Sequence, residues 1–565
     1  MKLVLSILAW AAAAAAQAAA LTDGSTGAVQ SLSGRFSVPQ SLGTVRGANL
    51  FHSFTRFGVA PGETATFSTS DAAIRNVISR VTGGEPSLID GGIKLDAAAG
   101  SAPAFWLVNP SGVVVGAGAS FDLPGSLHLS TAPRLQMADG STWDTGSSNG
   151  SSLSVAAPES FGFLSGQVAA ALRWQGANLT LQPGSTLELA AGSVTVQGAK
   201  LNAPGGHVRV RSSGDVLVSQ ATLYSSSGPD AQAGSISFDA GTLTIDGHGT
   251  AALLGVESSV GQISAADAID LRVAGALRLS GGAEVLTYNL SEQSAGRVQV
   301  SADSITADGQ SQRVTGIGSY SLGAGAGSAI DIDATRVSLI GGGQFFAAAL
   351  GSGNGGALNV RAGSMLLDGQ GTFAFIGTQV LSGGSGSAGA LDVRVQDQLS
   401  IAGGGQIVSD SVNSGRAGRL SVSAGAMLID GQSGDLTTGL RSYGAGALLL
   451  DVAGSLQLLN NAAITSFSNA GIAPAALQVR ARSITLDGGG HAAAQITSLS
   501  SNESDSAALS VQASERLVLT AGGQISSATL GSGAAGSVDV KAPVIELSGG
   551  GEFVTAISST SLGRL

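Results

Sequence analysis

AGALDVRVQDQLSIAGGGQIVSDSVNSG, residues 388–415, holds the pattern that decides the fold. Leu391, Val393 and Val395 alternate with polar residues, and Leu399 with Ile401 and then Ile407 continue the alternation. A period of two places one face of an extended strand in a core and leaves the other outside. Gly, Ser and Asn fill the intervals and supply the positive φ angles that tight corners need, while no apolar series keeps helical i, i+3, i+4 spacing beyond a turn. The stretch therefore predicts three short strands joined by corners.

The same arrangement recurs along the chain. Asp-Gly pairs follow an apolar residue at Ile245-Asp246-Gly247, Ala307-Asp308-Gly309, Leu367-Asp368-Gly369, Ile429-Asp430-Gly431 and Leu486-Asp487-Gly488. Offset between them run Leu279 before Gly281-Gly282, Leu339 before Gly341-Gly342, Ile401 before Gly403-Gly404, Leu458 before Asn460-Asn461 and Leu519 before Ala521-Gly522. A structural period that is a fraction of about sixty residues, most simply near thirty, belongs to a solenoid whose units bury their apolar face only by stacking. Short strands with tight corners in such a repeat give an all-β fold, a right-handed parallel β-helix. Coils about 4.8 Å apart make eleven or so coils a rod on the order of 50 Å, and three coils per sixty residues would lengthen it by about half.

Composition agrees. Of 565 residues 85 are Gly, 4% are aromatic and 12% charged, against a usual charged share of roughly 25%. A core of Ala, Val, Leu and Ile suits thin stacked layers, and a hydrophobic content of 43% excludes a disordered chain. The net charge of −11 argues against a nucleic-acid partner. With no Cys, disulfides and thiolate metal sites are absent, so stability must come from stacking. Lys2, the apolar run Leu3 to Ala16 and the small-residue sites Ala16-Gln17-Ala18 or Ala18-Ala19-Ala20 predict a cleaved signal peptide over 1–20. The run is short for a bilayer span of about 20 residues.

Residues 21–166 differ from the repeats, holding most of the Phe and Pro. Asn49-Leu50-Phe51-His52-Ser53-Phe54-Thr55-Arg56-Phe57 spaces three Phe by three and, with Pro61-Gly62 close behind, reads as a packed loop-strand element. Asn76 to Gly84, Ile89-Asp90-Gly91 and Phe105 to Val113 follow. In the last, Asn109-Pro110-Ser111-Gly112 is a β-turn, with Pro presetting φ and Gly accepting positive φ.

Together these strings resemble the haemagglutination-activity, or two-partner secretion, domain of filamentous haemagglutinin-like exoproteins. Asn109 to Val113 looks like that family's Asn-Pro-x-Gly-Ile motif with Val113 for Ile, and the coils after 166 resemble it more loosely through Leu201-Asn202-Ala203-Pro204-Gly205-Gly206. The family's second string, Asn-Pro-Asn-Leu, does not occur. The resemblance implies a capping N-terminal domain recognised by an outer-membrane β-barrel transporter with periplasmic recognition domains, export via the periplasm of a Gram-negative-type bacterium, and folding outside the cell. It gives Asn49, Phe51, Phe54, Phe57, Asn109, Pro110 and Gly112 as recognition residues. The expected organisation is 1–20 signal, 21–166 secretion domain, 167–227 connecting coils and 228–565 repetitive rod.

Other chemistry is sparse. Gly351 to Gly356 formally matches G-x-G-x-x-G, but Ala357 to Arg361 after it alternates as a strand and opens no helix for a pyrophosphate. Asp246, Asp308, Asp368, Asp430 and Asp487 could form a cation ladder, yet Asp before Gly favours Asx turn capping. His52, His128, His207, His248 and His491 show no paired metal spacing. Asp331 and Asp333 share a strand face and are the best carboxylate pair for acid and base work. Expected, then, is a non-enzymatic secreted exoprotein without cofactor or metal, an adhesin or matrix protein that meets a host-cell, glycan or matrix surface. A polysaccharide-acting β-helix enzyme is the alternative. A toxin-carrying stalk is disfavoured because residues 544–565 still read as repeat, and a self-inserting autotransporter because Ser561 to Leu565 offers none of the amphipathic strands with aromatic girdles it would need.

Overall fold

The computed structural model describes residues 19–561, apart from 147–152, 164–168, 228–233, 260–266, 413–415, 433–435, 445, 469–474 and 502. The expected signal peptide falls almost wholly outside the described residues. Those residues are β throughout, save one 3-10 turn at Gln40–Leu42. The chain forms two compact units, one ending at Ala199 and the other beginning at Lys200. Each is a parallel β-solenoid.

In the first unit a coil uses three separate strands, as the alternation predicts. Asn49–Phe57, Asn76–Val81, Ala104–Val108, Leu127–Ser130 and Thr186–Ala191 pair successively in parallel to make one face. Ser87–Ile89, Val113–Val115, Ala171–Gln175 and Ser193–Gln197 make the second. Arg35–Pro39, Thr64–Ser68, Gly92–Asp96 and Ser120–Asp122 make the third. Phe54, Phe57, Phe67 and Phe105 fill the interior between them, with rings as close as 4.8 Å for Phe67 and Phe105. The free edge of Asn49–Phe57 is closed by Thr44–Arg46 and Ala20–Thr22, which pair with it antiparallel. That is the expected cap: an unpaired strand edge would otherwise template association with another chain.

One insertion departs from the coil. Arg134–Met137, Thr142–Asp144 and Pro158–Gly162 form an antiparallel sheet between Leu127–Ser130 and Ala171–Gln175. It covers the outer side of the first face, so that Phe51, Ile78, Trp106 and Val108 share one apolar cluster with Leu135, Met137, Trp143 and Phe161.

The second unit keeps the predicted register of about thirty residues. Val218, Ile245, Leu279, Ala307, Leu339, Leu367, Ile401, Ile429, Leu458, Leu486, Leu519 and Leu547 stand in one column through successive parallel pairings, twelve coils among the described residues. A sixty-residue sequence repeat is therefore two coils, and the column runs roughly 50 Å. The strands differ from expectation in one respect. From Asp267–Ser280 to Leu509–Thr520 the first two of each coil fuse into one long bent strand, such as Leu391–Ala402 with the third separate at Gly405–Ser411, while the coils at either end keep them apart, as at Ser235–Ala240 and Thr242–Asp246. The bend is a register shift between Val395 and Gln398, where exposed Gln396 and Asp397 turn the chain without breaking its ladder.

The Asp-Gly series is turn capping, as read from the sequence. The carboxylate Oδ1 of Asp246, Asp308, Asp368, Asp430 and Asp487 accepts from the main-chain N–H two residues on at 2.8–3.0 Å. The accepting turn sets His248, Gln310, Gln370, Gln432 and Gly489 at φ between +47° and +64°. The Gly after Asp is fixed by contact: a Cβ on Gly309 would lie 2.1 Å from the Arg313 carbonyl oxygen and 2.5 Å from that of Gly341 in the next coil. The Gly-Gly corners of alternate coils stack against these.

Candidate functional site

The recognition residues named from the sequence all fall in the first unit, and most are interior to it. Asn49 is fully buried, its Nδ2 donating to the carbonyls of Ser154 at 3.2 Å and Ala156 at 2.6 Å, which fastens the strand edge to the insertion. Its Oδ1 accepts from Asn76 Nδ2 at 2.9 Å, and Asn76 Oδ1 accepts from Trp106 Nε1 at 3.3 Å. Phe51 faces outward beneath the insertion, its ring 5.0 Å from Trp143 in a T-shaped contact. Phe54 and Phe57 instead point into the coil. The three-residue spacing comes from a bulge: Leu21 pairs with Arg56 and Thr22 with Phe54, so Thr55 is skipped and two Phe share one side.

Asn109, Pro110 and Gly112 form the turn expected of them. Gly112 N donates to the Asn109 carbonyl at 3.0 Å, and Gly112 sits at φ +126°. Asn109 adds a side-chain clamp. Its Oδ1 accepts from Ser111 N at 2.9 Å, while Nδ2 donates to the Glu85 carbonyl at 2.8 Å and to Ser87 Oγ at 3.0 Å in the preceding coil. Of the seven residues only Pro110 is even partly exposed.

Arg80, inside the Asn76 to Gly84 string, was not singled out from the sequence, yet it ties three segments together. Its guanidinium is buried, with Nε donating to Ser53 Oγ at 2.7 Å, Nη1 to the Asp144 carbonyl at 2.5 Å and Nη2 to Ser25 Oγ at 3.2 Å. It lies 4.5 Å over the Trp143 ring. Desolvation pulls its pKa down, offset by the nearby charges of Asp23 and Asp144. Asp23 completes the network: burial raises its carboxyl, but hydrogen bonds from Ser53, Ser25 and Thr82 outweigh that and hold it below the ordinary value. The available signal was an arginine within a six-residue strand in a chain with so few charges. The residues that begin the first coil are thus bound to the insertion through one cation.

The histidines serve separate roles. His52 is buried among Phe54 and Phe67, with neither ring nitrogen in a hydrogen bond of good geometry. Desolvation lowers its pKa to about 4, against a small raising influence of the Leu42 main chain. His128 stacks on Trp106 at 3.6 Å between ring centroids and joins Glu188 Oε2 at 2.8 Å. His207 meets Ser235 and His248 meets Asp246. Among the described residues no three His, Cys, Asp or Glu come together as a metal site.

Asp331 and Asp333 do share the outer face of Ile330–Ile340 and line a groove of about 470 Å³ with Asp239, Asp270, Arg272 and Arg361. The acids are met by cations and amides of adjacent coils. Asp331 receives Asn359 Nδ2 at 2.8 Å and lies 3.6 Å from Arg297, Asp333 registers with Arg361, and Asp239 with Arg272. Burial pushes the Asp270 carboxyl up while Arg272, 2.8 Å away, pulls it down. Opposite charges facing across strands set register, and at this exposure each pair is worth under about 1 kcal/mol. The formal dinucleotide string Gly351 to Gly356 is a corner in which a Cβ on Gly353 would lie 2.1 Å from the Gly325 carbonyl oxygen, followed by the strand Leu358–Asp368.

No curated protein matches the chain. The family profile of the TPS secretion domain matches residues 15–300, just over half of the sequence, and takes in the whole of the capped unit with its Asn49 and Asn109 clamps. The chain therefore belongs to the TPS secretion domain family, the exoproteins of two-partner secretion that leave a Gram-negative-type cell through a dedicated outer-membrane transporter.

Proposed function

We propose that the exported chain is a non-enzymatic adhesive or matrix rod held at the cell surface or released from it. The observation that carries this reading is the register itself: twelve coils repeat the same outer columns about 4.8 Å apart, so that a weak contact made by one coil recurs along the flank. Such repetition raises avidity by about 10²–10⁴ over a single contact. The acidic groove around Asp331 is neutralised coil by coil, which suits stacking better than acid and base catalysis.

The strings around Asn49 and Asn109 would be read by the transporter while still extended, since their side chains are interior once the unit folds. Folding outside then removes the chain from the pore, and the lack of Cys leaves no disulfide to block passage. The test is to secrete the full chain from a host carrying the cognate transporter and measure its retention on cells and matrix, alongside release of reducing ends from polysaccharides. Retention without turnover supports the rod. Turnover abolished by Asp331→Asn or Asp333→Asn would replace it with the enzyme reading.

A further inference from the structure

All four tyrosines of the chain, Tyr224, Tyr288, Tyr320 and Tyr443, lie on the third strand of their coils in the second unit and face outward. Their surroundings divide them. Tyr288 and Tyr320 stack with centroids 5.7 Å apart, Tyr320 meets Phe346 at 5.0 Å, and these rings close over glycines: a Cβ on Gly318 would fall 2.2 Å from the Phe346 ring, and one on Gly255 2.6 Å from Tyr224. That group consumes its own ring faces. Around Tyr443 the surface is open instead. Tyr443 and Phe467, 5.1 Å apart, stand beside a cleft of about 310 Å³ lined also by Gln406, Gly439, Arg441 and Thr465; a Cβ on Gly439 would meet the Ala463 carbonyl oxygen at 2.0 Å and not a ring.

The polar wall is built and electrically closed. Arg441 donates through Nε and Nη2 to the two carboxylate oxygens of Asp410, at 3.3 and 2.5 Å, and Asp410 precedes Tyr443 and Phe467 in the same column. The Asp410 side chain is 7% exposed and that of Arg441 38%. Because the bridge cancels the guanidinium charge, an anionic ligand gains no net cation here, in a chain already at −11. A flat apolar wall beside a planar guanidinium and a planar amide fits a ring with one apolar face and a rim of hydroxyls. Gln406 donates to the Thr437 carbonyl at 2.8 Å, which orients its amide toward such a rim. A cleft of this size is at the lower end of ligand sites.

We infer that this cleft binds a single neutral pyranose of a glycan, its apolar face on Tyr443 and Phe467 and its hydroxyls on Arg441, Gln406 and Thr465. The inference deepens the adhesive reading and rests on it for its use, but the cleft can be tested alone. Saturation-transfer NMR on the full-length secreted chain would use the methyl glycosides of glucose, galactose, mannose and N-acetylglucosamine, with methyl glucuronide as the anionic arm. At least one neutral glycoside should take up saturation. Tyr443→Ala and Arg441→Gln should each weaken it by about tenfold, Tyr443→Phe should keep it, and Thr497→Ala, on the same face outside the cleft, should change nothing. Far-UV circular dichroism checks folding, and Gln406→Ala at the rim carries the test if Tyr443→Ala does not fold. Saturation of no neutral glycoside, preference for the glucuronide, or equal binding by folded Tyr443→Ala would overturn the inference. A chain that adheres to cells while no glycoside binds loses the cleft and keeps the rod; one that binds a glycoside but adheres to nothing does the reverse.

Discussion

Asn109→Ala tests whether the secretion-domain string acts through the fold. The substitution removes three hydrogen bonds, to Ser111 N, Glu85 O and Ser87 Oγ, from a side chain with no solvent exposure. Each bond contributes about 1 kcal/mol net, and stranding the buried Ser87 hydroxyl adds about 1 kcal/mol more, for a loss of about 3–4 kcal/mol. Asn354→Ala is the control. Asn354 also sits in a Gly-rich corner, but it makes a single exposed bond from Ser387 N at 2.9 Å, worth at most about 1 kcal/mol. Asn109→Asp should cost at least as much as alanine at neutral pH, since it keeps the acceptor for Ser111 but sets a buried carboxylate oxygen against the Glu85 carbonyl.

The assay is built into the sequence. Trp106, Trp143 and Trp174 are all buried in the first unit, and the remaining Trp10 lies in the expected signal peptide, so tryptophan emission of the exported chain reports on that unit alone. Denaturant midpoints, read by tryptophan emission for Asn109→Ala and by far-UV circular dichroism for Asn354→Ala in the second unit, should separate the two losses by about 2–3 kcal/mol, and secreted yield should follow the same order. Equal losses would refute the clamp. Asn109→Ala with native stability but no secretion would refute the clamp as well, and leave the residue's role to the transporter's reading of the extended string.

Three further outcomes follow from the geometry. His52 accepts a proton in the unfolded chain below about pH 6.5 but in the folded unit only near pH 4, so stability of the first unit should fall by about 3 kcal/mol as pH drops through that window; His52→Leu should flatten the loss in tryptophan-detected unfolding. Asp23, held below its ordinary value, contributes its own loss only at lower pH, within and below the carboxylate range. Arg80→Ala should cost about 3–5 kcal/mol by leaving its polar partners unpaired around a void, seen as a lower denaturation midpoint, whereas exposed Arg336→Ala should change it by under about 1 kcal/mol. Gly309→Ala should cost about 1–3 kcal/mol, since its Cβ meets two carbonyls, and should appear in far-UV circular dichroism melting while leaving tryptophan emission unchanged.

The solenoid was legible because its determinants are local and repeated. Alternation fixes which side chains enter the core, and the Asp-Gly and Gly-Gly series mark corners whose φ values and contacts admit little else. Fusion of two strands into one at Gln396-Asp397 was not legible, because a bend that preserves the ladder and a corner that breaks it use the same polar residues. The candidate site was harder for a different reason. The string Asn109 to Gly112 announces a turn, but the Asn109 clamp reaches back to Glu85 and Ser87, and the network of Arg80 joins residues 25, 53 and 144. The cleft at Tyr443 escaped notice because four tyrosines are too few to form a sequence pattern and become one only when coils bring them to a single face.

The span of the contacts also separates how the two units can fold. In the second unit a coil closes on residues about thirty positions away, so each newly emerged coil can add to the last with a small loop-closure cost, the behaviour of a one-dimensional stack. The first unit cannot finish that way. Asn49 waits for Ser154 and Ala156, which are 105 and 107 residues later, and Arg80 waits for Asp144, 64 residues later. Until the insertion arrives, the apolar cluster around Phe51 and Trp106 is uncovered and the Asn49 and Arg80 side chains lack their partners. A chain moving N-terminus first through a pore would therefore keep Asn49 and Arg80 unclamped until residue 156 had emerged, then lock them cooperatively, whereas Asn109 would find Glu85 and Ser87 already outside.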